Sequence, residues 1–92
     1  MYRAELHSIG KTKDGQYLVR LLVDYLGIEE ETTFNYHELS NVPRYLIVIK
    51  NGKLRFRRGI RVWVSDPFED AWGIHFRAIH QINPNCECEE VA

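Results

Sequence analysis

The sequence predicts a mainly β domain, a compact antiparallel sheet of five or six strands. Three observations carry that expectation. The dipeptides Asp14-Gly15 and Asn51-Gly52 each stand between apolar runs, where a tight hairpin needs residues that accept positive φ. Apolar and polar residues alternate through residues 31–36, 54–64 and 72–82, the period of a strand with one buried face. The chain, at 92 residues, is long enough for one hydrophobic core and too short for two.

Residues 2–9 and 16–25 flank Asp14-Gly15, and pairing across that turn sets Tyr2, Ala4, Leu6 and Ser8 on one face with Tyr17, Val19, Leu21, Val23 and Tyr25. A competing reading exists. Leu18, Leu21, Leu22, Tyr25 and Leu26 also follow helical spacing, with Asp14 as N-cap and Gly27 just past the end, which would make the fold α+β with a helix at residues 15–26. The Asp-Gly turn and the Val and Tyr content favour strand. Residues 31–36 alternate as a half-buried strand, and residues 37–42 form a turn or one helical turn that closes before Pro43.

The clearest local signal is a hairpin over residues 44–65 with Asn51-Gly52 at its tip. Ile49 then opposes Leu54 and Ile47 opposes Phe56 on an apolar face, while Lys50 meets Lys53, Val48 meets Arg55 and Leu46 meets Arg57 on the other. Gly59 marks a bulge in the long second strand. Asp66-Pro67-Phe68-Glu69 matches a helix start, with Asp66 as N-cap and Pro67 at the first helical position, so one short helical turn is expected near residues 66–72. The alternation from Trp72 to Ile82 reads as a last strand, ended by Asn83-Pro84.

These faces predict a core of Leu6, Val19, Leu21, Val23, Phe34, Ile47, Ile49, Leu54, Phe56, Val62, Val64, Ile74 and Phe76. Successive hairpins in so short a chain also suit closure into a small barrel of SH3-like or OB-like type, an analogy of fold that carries no function. Residues 1–84 read as a single globular domain and residues 85–92 as an acidic, flexible tail.

A net charge of −1 gives no global attraction to nucleic acid or to an anionic membrane, so any such binding must be local. No stretch approaches the roughly 18 uncharged apolar residues of a membrane span, and the first residues lack the apolar run of a signal peptide; no membrane partner is expected and the chain reads as cytoplasmic. Charge is nevertheless segregated. Six of the twelve Lys and Arg residues lie between Lys50 and Arg61, and no acid occurs between positions 41 and 65. Lys50, Lys53, Arg55, Arg57 and Arg61, with Trp63, are therefore the candidate binding face.

Two partners suit that face. Arg and Trp are enriched where protein interfaces concentrate their energy, which makes a small non-enzymatic interaction module, of adaptor or inhibitor type, the leading expectation. The alternative is nucleic acid, because guanidinium groups beside an aromatic ring supply phosphate contact and base stacking. His80, Cys86 and Cys88 are candidate zinc ligands, but Cys-x-Cys departs from the usual C-x₂₋₄-C spacing and no fourth ligand is evident, so no cofactor is expected. Asp66, Glu69, Asp70 and His75 could form a carboxylate and histidine group, yet the first two are accounted for as helix-start residues. No phosphate loop or nucleophile motif is present, so no catalytic residue is assigned and the chain reads as a non-enzyme.

Overall fold

A computed structural model describes residues 1–81 and 89–91. The architecture is mainly β, with 65% of residues in strands and 8% in short 3-10 turns. Three strands open the chain: β1 (Tyr2–Lys11), β2 (Tyr17–Tyr25) and β3 (Ile28–Tyr36). Two 3-10 turns follow, Leu39–Asn41 and Arg44–Leu46. Then come β4 (Ile47–Lys50), β5 (Lys53–Arg58), β6 (Arg61–Ser65), β7 (Phe68–Asp70), β8 (Gly73–His75), β9 (Ala78–Gln81) and β10 (Glu89–Val91). The main sheet is antiparallel, five-stranded and curled into a half-barrel, in the order β3-β2-β1-β6-β9. A second sheet has the order β10-β5-β4, and β7 pairs with β8 alone.

Residues 17–26 form a strand and a turn, so the α+β alternative is overturned. Strand β2 buries Val19, Leu21 and Val23 completely, while its other face half-buries Leu18 and Leu22. Those two leucines are what imitate a helical stripe. The first hairpin departs from a two-residue turn: its last pair is Lys11 with Tyr17, and Thr12–Gln16 closes as a longer loop, with Gly15 at φ +83°. A bulge between Leu6 and Ser8 shifts the register, so Ser8 leaves the core face and Ile9 packs against the core instead.

Two of the two-residue hairpins, at Leu26-Gly27 and Asn51-Gly52, have positive φ at both central residues. That is the type I′ geometry whose twist matches the flanking strands. Asn and Gly accept it readily; Leu26, at φ +52°, does so against its intrinsic preference.

The expected 44–65 hairpin is two structures. Only Ile47–Lys50 and Lys53–Arg58 pair with each other, and at Gly59 (φ +81°) the chain turns out of the second sheet into β6 of the first. Hydrogen bonds from Leu6 N–H to the Ile60 carbonyl (2.9 Å) and from Gly59 N–H to the Leu6 carbonyl (3.3 Å) fix this corner to β1. The expected helical turn near residues 66–72 is replaced by the β7–β8 hairpin; Asp66 sits at φ +53°, not in the extended conformation that an N-cap residue adopts. The expected single strand over residues 72–82 is likewise divided, with Phe76 turned into the core at the break.

The core lies between the concave face of the main sheet and the segment from Leu39 to Phe56. Ala4, Leu6, Val19, Leu21, Val23, Val42, Leu46, Ile60, Val62, Val64 and Phe76 are buried. Ile47, Phe56, Phe34 and Ile74 are half-buried against them. Ile49 and Leu54, expected inside, are 67% and 40% exposed, and Leu46, expected on the polar face, is fully buried. The reason is position: Leu46 ends a 3-10 turn that delivers it under the sheet, whereas Ile49 and Leu54 lie next to a hairpin tip that projects beyond it.

One buried group is left without a partner in this core. The Tyr45 hydroxyl is shielded from solvent and makes no hydrogen bond among the described residues; its burial, with the Tyr36 phenol nearby, pushes its pKa up to about 12. A phenol whose folded pKa lies above the unfolded value of about 10 contributes stability that is full below pH ~10 and lost as pH rises towards ~12. Thermal melts of Tyr45→Phe are expected to fall less than wild type over that interval. At neutral pH the variant should be no less stable and up to about 1 kcal/mol more stable, because an unsatisfied hydroxyl is removed.

Candidate functional site

The register of the two sheets places the basic residues at one end. Strands β1 and β2 meet at Lys11 and Tyr17, β3 ends beside them at Tyr36, and the cleft that Ile9 shares with Leu54 and Arg55 puts the β4–β5 tip at this same end. Lys53, Arg55 and Arg57 alternate along β5, Lys50 lies across the tip from Lys53, and exposed Lys11 and Lys13 stand at the end of β1 and in the loop that follows it. Asp14 and Glu38 are acidic residues of the loops at this end, and the Thr12 hydroxyl holds Asp14 below the usual carboxylate range. Six cations gather here in a chain whose net charge is only −1.

The candidate face is brought together in part. Lys50, Lys53, Arg55 and Arg57 share the β4–β5 hairpin. Arg61 and Trp63 do not join them, because the Gly59 corner carries both to the convex face of the main sheet. Trp63 there lies opposite Arg3, whose guanidinium is 5.7 Å from its ring centroid. Arg61 lines an open cleft of about 520 Å³ with Arg3, Leu22, Glu5, Asp24 and Glu29. Two guanidinium groups facing three carboxylates make that cleft close to charge-balanced, unlike a phosphate-binding groove.

What the hairpin presents is cationic and apolar together. Exposed Ile49 and Leu54 oppose each other one step from the Lys50–Lys53 pair. Leu54 also borders a small cleft of about 140 Å³ lined by Ile9, Ile47, Arg55 and Phe56. Arg55 is half-buried, and its Nε is shielded with no hydrogen-bond partner among the described residues. A planar cation with an unused donor beside apolar walls is suited to a carboxylate or to an aromatic face. Along the other edge of β5 runs β10, whose register sets Glu89 opposite Arg58 and Glu90 opposite Arg57.

A second feature, missed in the sequence, is the β7–β8 hairpin. Trp72 at its tip is 86% exposed, although alternation with Ile74 and Phe76 had assigned it to a strand face. Asp70 organises the turn: its Oδ1 accepts the Trp72 N–H at 2.8 Å and lies 3.0 Å from His75 Nε2. The Trp72 N–H, and then His75, hold the Asp70 carboxyl below its ordinary range. The ring of His75 lies 5.3 Å from that of Phe68, and the Arg77 guanidinium sits 4.9 Å above Phe68. The available signal was Asp70 followed three residues later by Gly73 (φ +119°), the pattern of a turn held by an aspartate side chain.

No group of three or more His, Cys, Asp or Glu side chains is arranged to hold a metal ion among the described residues. Of the zinc candidates, His80 is exposed, with Nε2 3.4 Å from Ser65 Oγ, and Cys86 and Cys88 lie outside the described residues. No helix among the described residues is long and apolar enough to cross a membrane. The chain matches no family model, no curated protein and no solved structure.

Proposed function

We propose that this domain is a non-enzymatic protein-interaction module, of adaptor or inhibitor type, whose β4–β5 hairpin docks on an acidic protein surface. The observation that carries the reading is the composition of the hairpin end: Ile49 and Leu54 exposed at the centre of Lys50, Lys53 and Arg55. An apolar patch rimmed by charge is the anatomy of a protein interface, where desolvated anchors supply the affinity and the rim sets partner choice. Single-stranded nucleic acid would call for an aromatic stacking platform at the centre of the cations, where the hairpin presents Ile49 and Leu54; the ring of this end with a cation over it is Tyr17, 5.7 Å from Lys11 Nζ. Trp63, the ring the sequence offered for that role, stands on the other sheet beside Arg3.

The test is affinity capture with the full chain, with and without nuclease. A stoichiometric acidic protein should be retained after nuclease treatment. Ile49→Asp combined with Lys53→Glu should weaken its binding at least ~30-fold, the equivalent of ~2 kcal/mol for a central anchor. Captured material that is nucleic acid and vanishes with nuclease would sink the proposal in favour of the nucleic-acid reading.

A further inference from the structure

The end of the main sheet opposite the basic hairpin carries the complementary chemistry. Tyr2, Tyr25 and Phe76 gather there, with ring centroids 4.9–6.0 Å apart, and tie the β2–β3 turn to the segment that follows the β7–β8 hairpin. Beyond these packed rings the surface is apolar: Trp72 is 86% exposed, Leu26 76% and Ile28 61%. It is also acidic. Asp24, Glu29 and Glu30 flank one turn and Asp66, Glu69 and Asp70 the other. Among the cationic side chains of this end, Arg3 and Arg77 are laid over the rings of Trp63 and Phe68, and Arg61 shares a cleft with Asp24 and Glu29.

Each end thus offers what the other lacks. One end has a projecting indole held on a braced turn and surrounded by carboxylates. The other has an apolar cleft of about 140 Å³ beside a guanidinium with an unused Nε–H, surrounded by lysines. We propose that the acidic surface recognised by the hairpin is that of a second copy of this chain, bound head to tail. Trp72 of one copy seats on the Ile9–Ile47–Leu54–Phe56 cleft of the next, its ring against Arg55, while Glu69 and Asp66 face Lys50 and Lys53. This rests on the reading of the hairpin as a protein-docking site.

The indole supplies buried area and a cation–π contact, and the opposed charges supply orientation and encounter rate. Because the two patches lie at opposite ends of a molecule 41 Å long, the contact is heterologous, and it propagates into rings or filaments instead of closing as a dimer.

The experiment is sedimentation velocity of the full chain from about 1 to about 500 µM, at low and high salt. Wild type should grow past the dimer with concentration, and high salt should reduce that growth. Trp72→Ala lacks the knob and Leu54→Asp spoils the cleft; both positions are exposed, so circular dichroism should report an unchanged fold for each. Each variant alone should be at least ~10-fold weaker in self-association than wild type. Mixed one to one they should form a dimer and nothing larger, because the pair retains a single intact knob and a single intact cleft.

A wild type that stays monomeric across the range overturns the inference, as does association that Trp72→Ala leaves unchanged. If the chain is monomeric yet its hairpin captures another acidic protein after nuclease treatment, the self-docking inference fails and the interaction-module reading stands.

Discussion

Leu46→Asp is expected to leave the chain unfolded at 25 °C, whereas Ile49→Asp, three residues further on, should melt within a few degrees of wild type. Leu46 is fully buried and Ile49 is 67% exposed. Truncating a buried leucine costs about 2–5 kcal/mol through lost burial and the cavity left behind. An unpaired carboxylate at the same place adds several more, since nothing at that depth replaces its hydration. The sum reaches the whole stability of a domain this small, about 5–15 kcal/mol. At Ile49 the carboxylate stays in water, in a hairpin whose net charge is positive. Far-UV circular dichroism melts of the two variants decide the matter. Simple alternation along the hairpin would have made Ile49 the damaging position, so equal losses at the two sites, or their reversal, would contradict the observed packing.

That contrast also marks how far the sequence was legible. Period-two alternation located the buried residues of β2, Val19, Leu21 and Val23, and those of β6, Val62 and Val64, because both strands run straight through a sheet with one covered face. It failed at Gly59. Leu54, Phe56, Ile60, Val62 and Val64 keep one parity on both sides of Arg58-Gly59, so the alternation does not reveal that the chain changes sheet there and carries Arg61 and Trp63 away from Arg55 and Arg57. Leu46 and Val42 were invisible as core because Leu46 ends one 3-10 turn and Val42 directly follows the other, and the period of three in such turns resembles neither strand nor α-helix. Leu26-Gly27 was hidden for a different reason. A leucine at positive φ is tolerated only because the strands on either side, paired from Tyr25–Ile28 to Tyr17–Tyr36, over-determine the turn. The basic hairpin was therefore readable as a local object, and its composition survives; its apolar centre and its counterpart at the far end depend on tertiary placement.

Phe76→Ala should be the most damaging truncation at that far end, with a loss of about 3–5 kcal/mol. Phe76 is 5% exposed and is the ring shared by Tyr2 and Tyr25, at 6.0 and 5.8 Å, both edge-on. Edge-to-face pairs contribute about 0.5–1.5 kcal/mol each beyond the area they bury, so removing the shared ring weakens two of the three contacts at once. For a domain of this length 1 kcal/mol corresponds to about 4–8 °C, which puts the expected fall in melting temperature between roughly 12 and 40 °C. Trp72→Ala, four residues earlier and on a larger side chain, should move it by no more than about 4 °C, in line with the ~0.5 kcal/mol typical of exposed positions. The two substitutions separate what the aromatic residues of this end do. Tyr2, Tyr25 and Phe76 hold the N-terminus, the β2–β3 turn and the β7–β8 hairpin in one place, and that rigidity is what allows an indole to stand in water without the protein's stability depending on it. A protein that keeps one of its two tryptophans outside its core, on a turn fixed by Asp70, has left that side chain free for a contact other than its own folding.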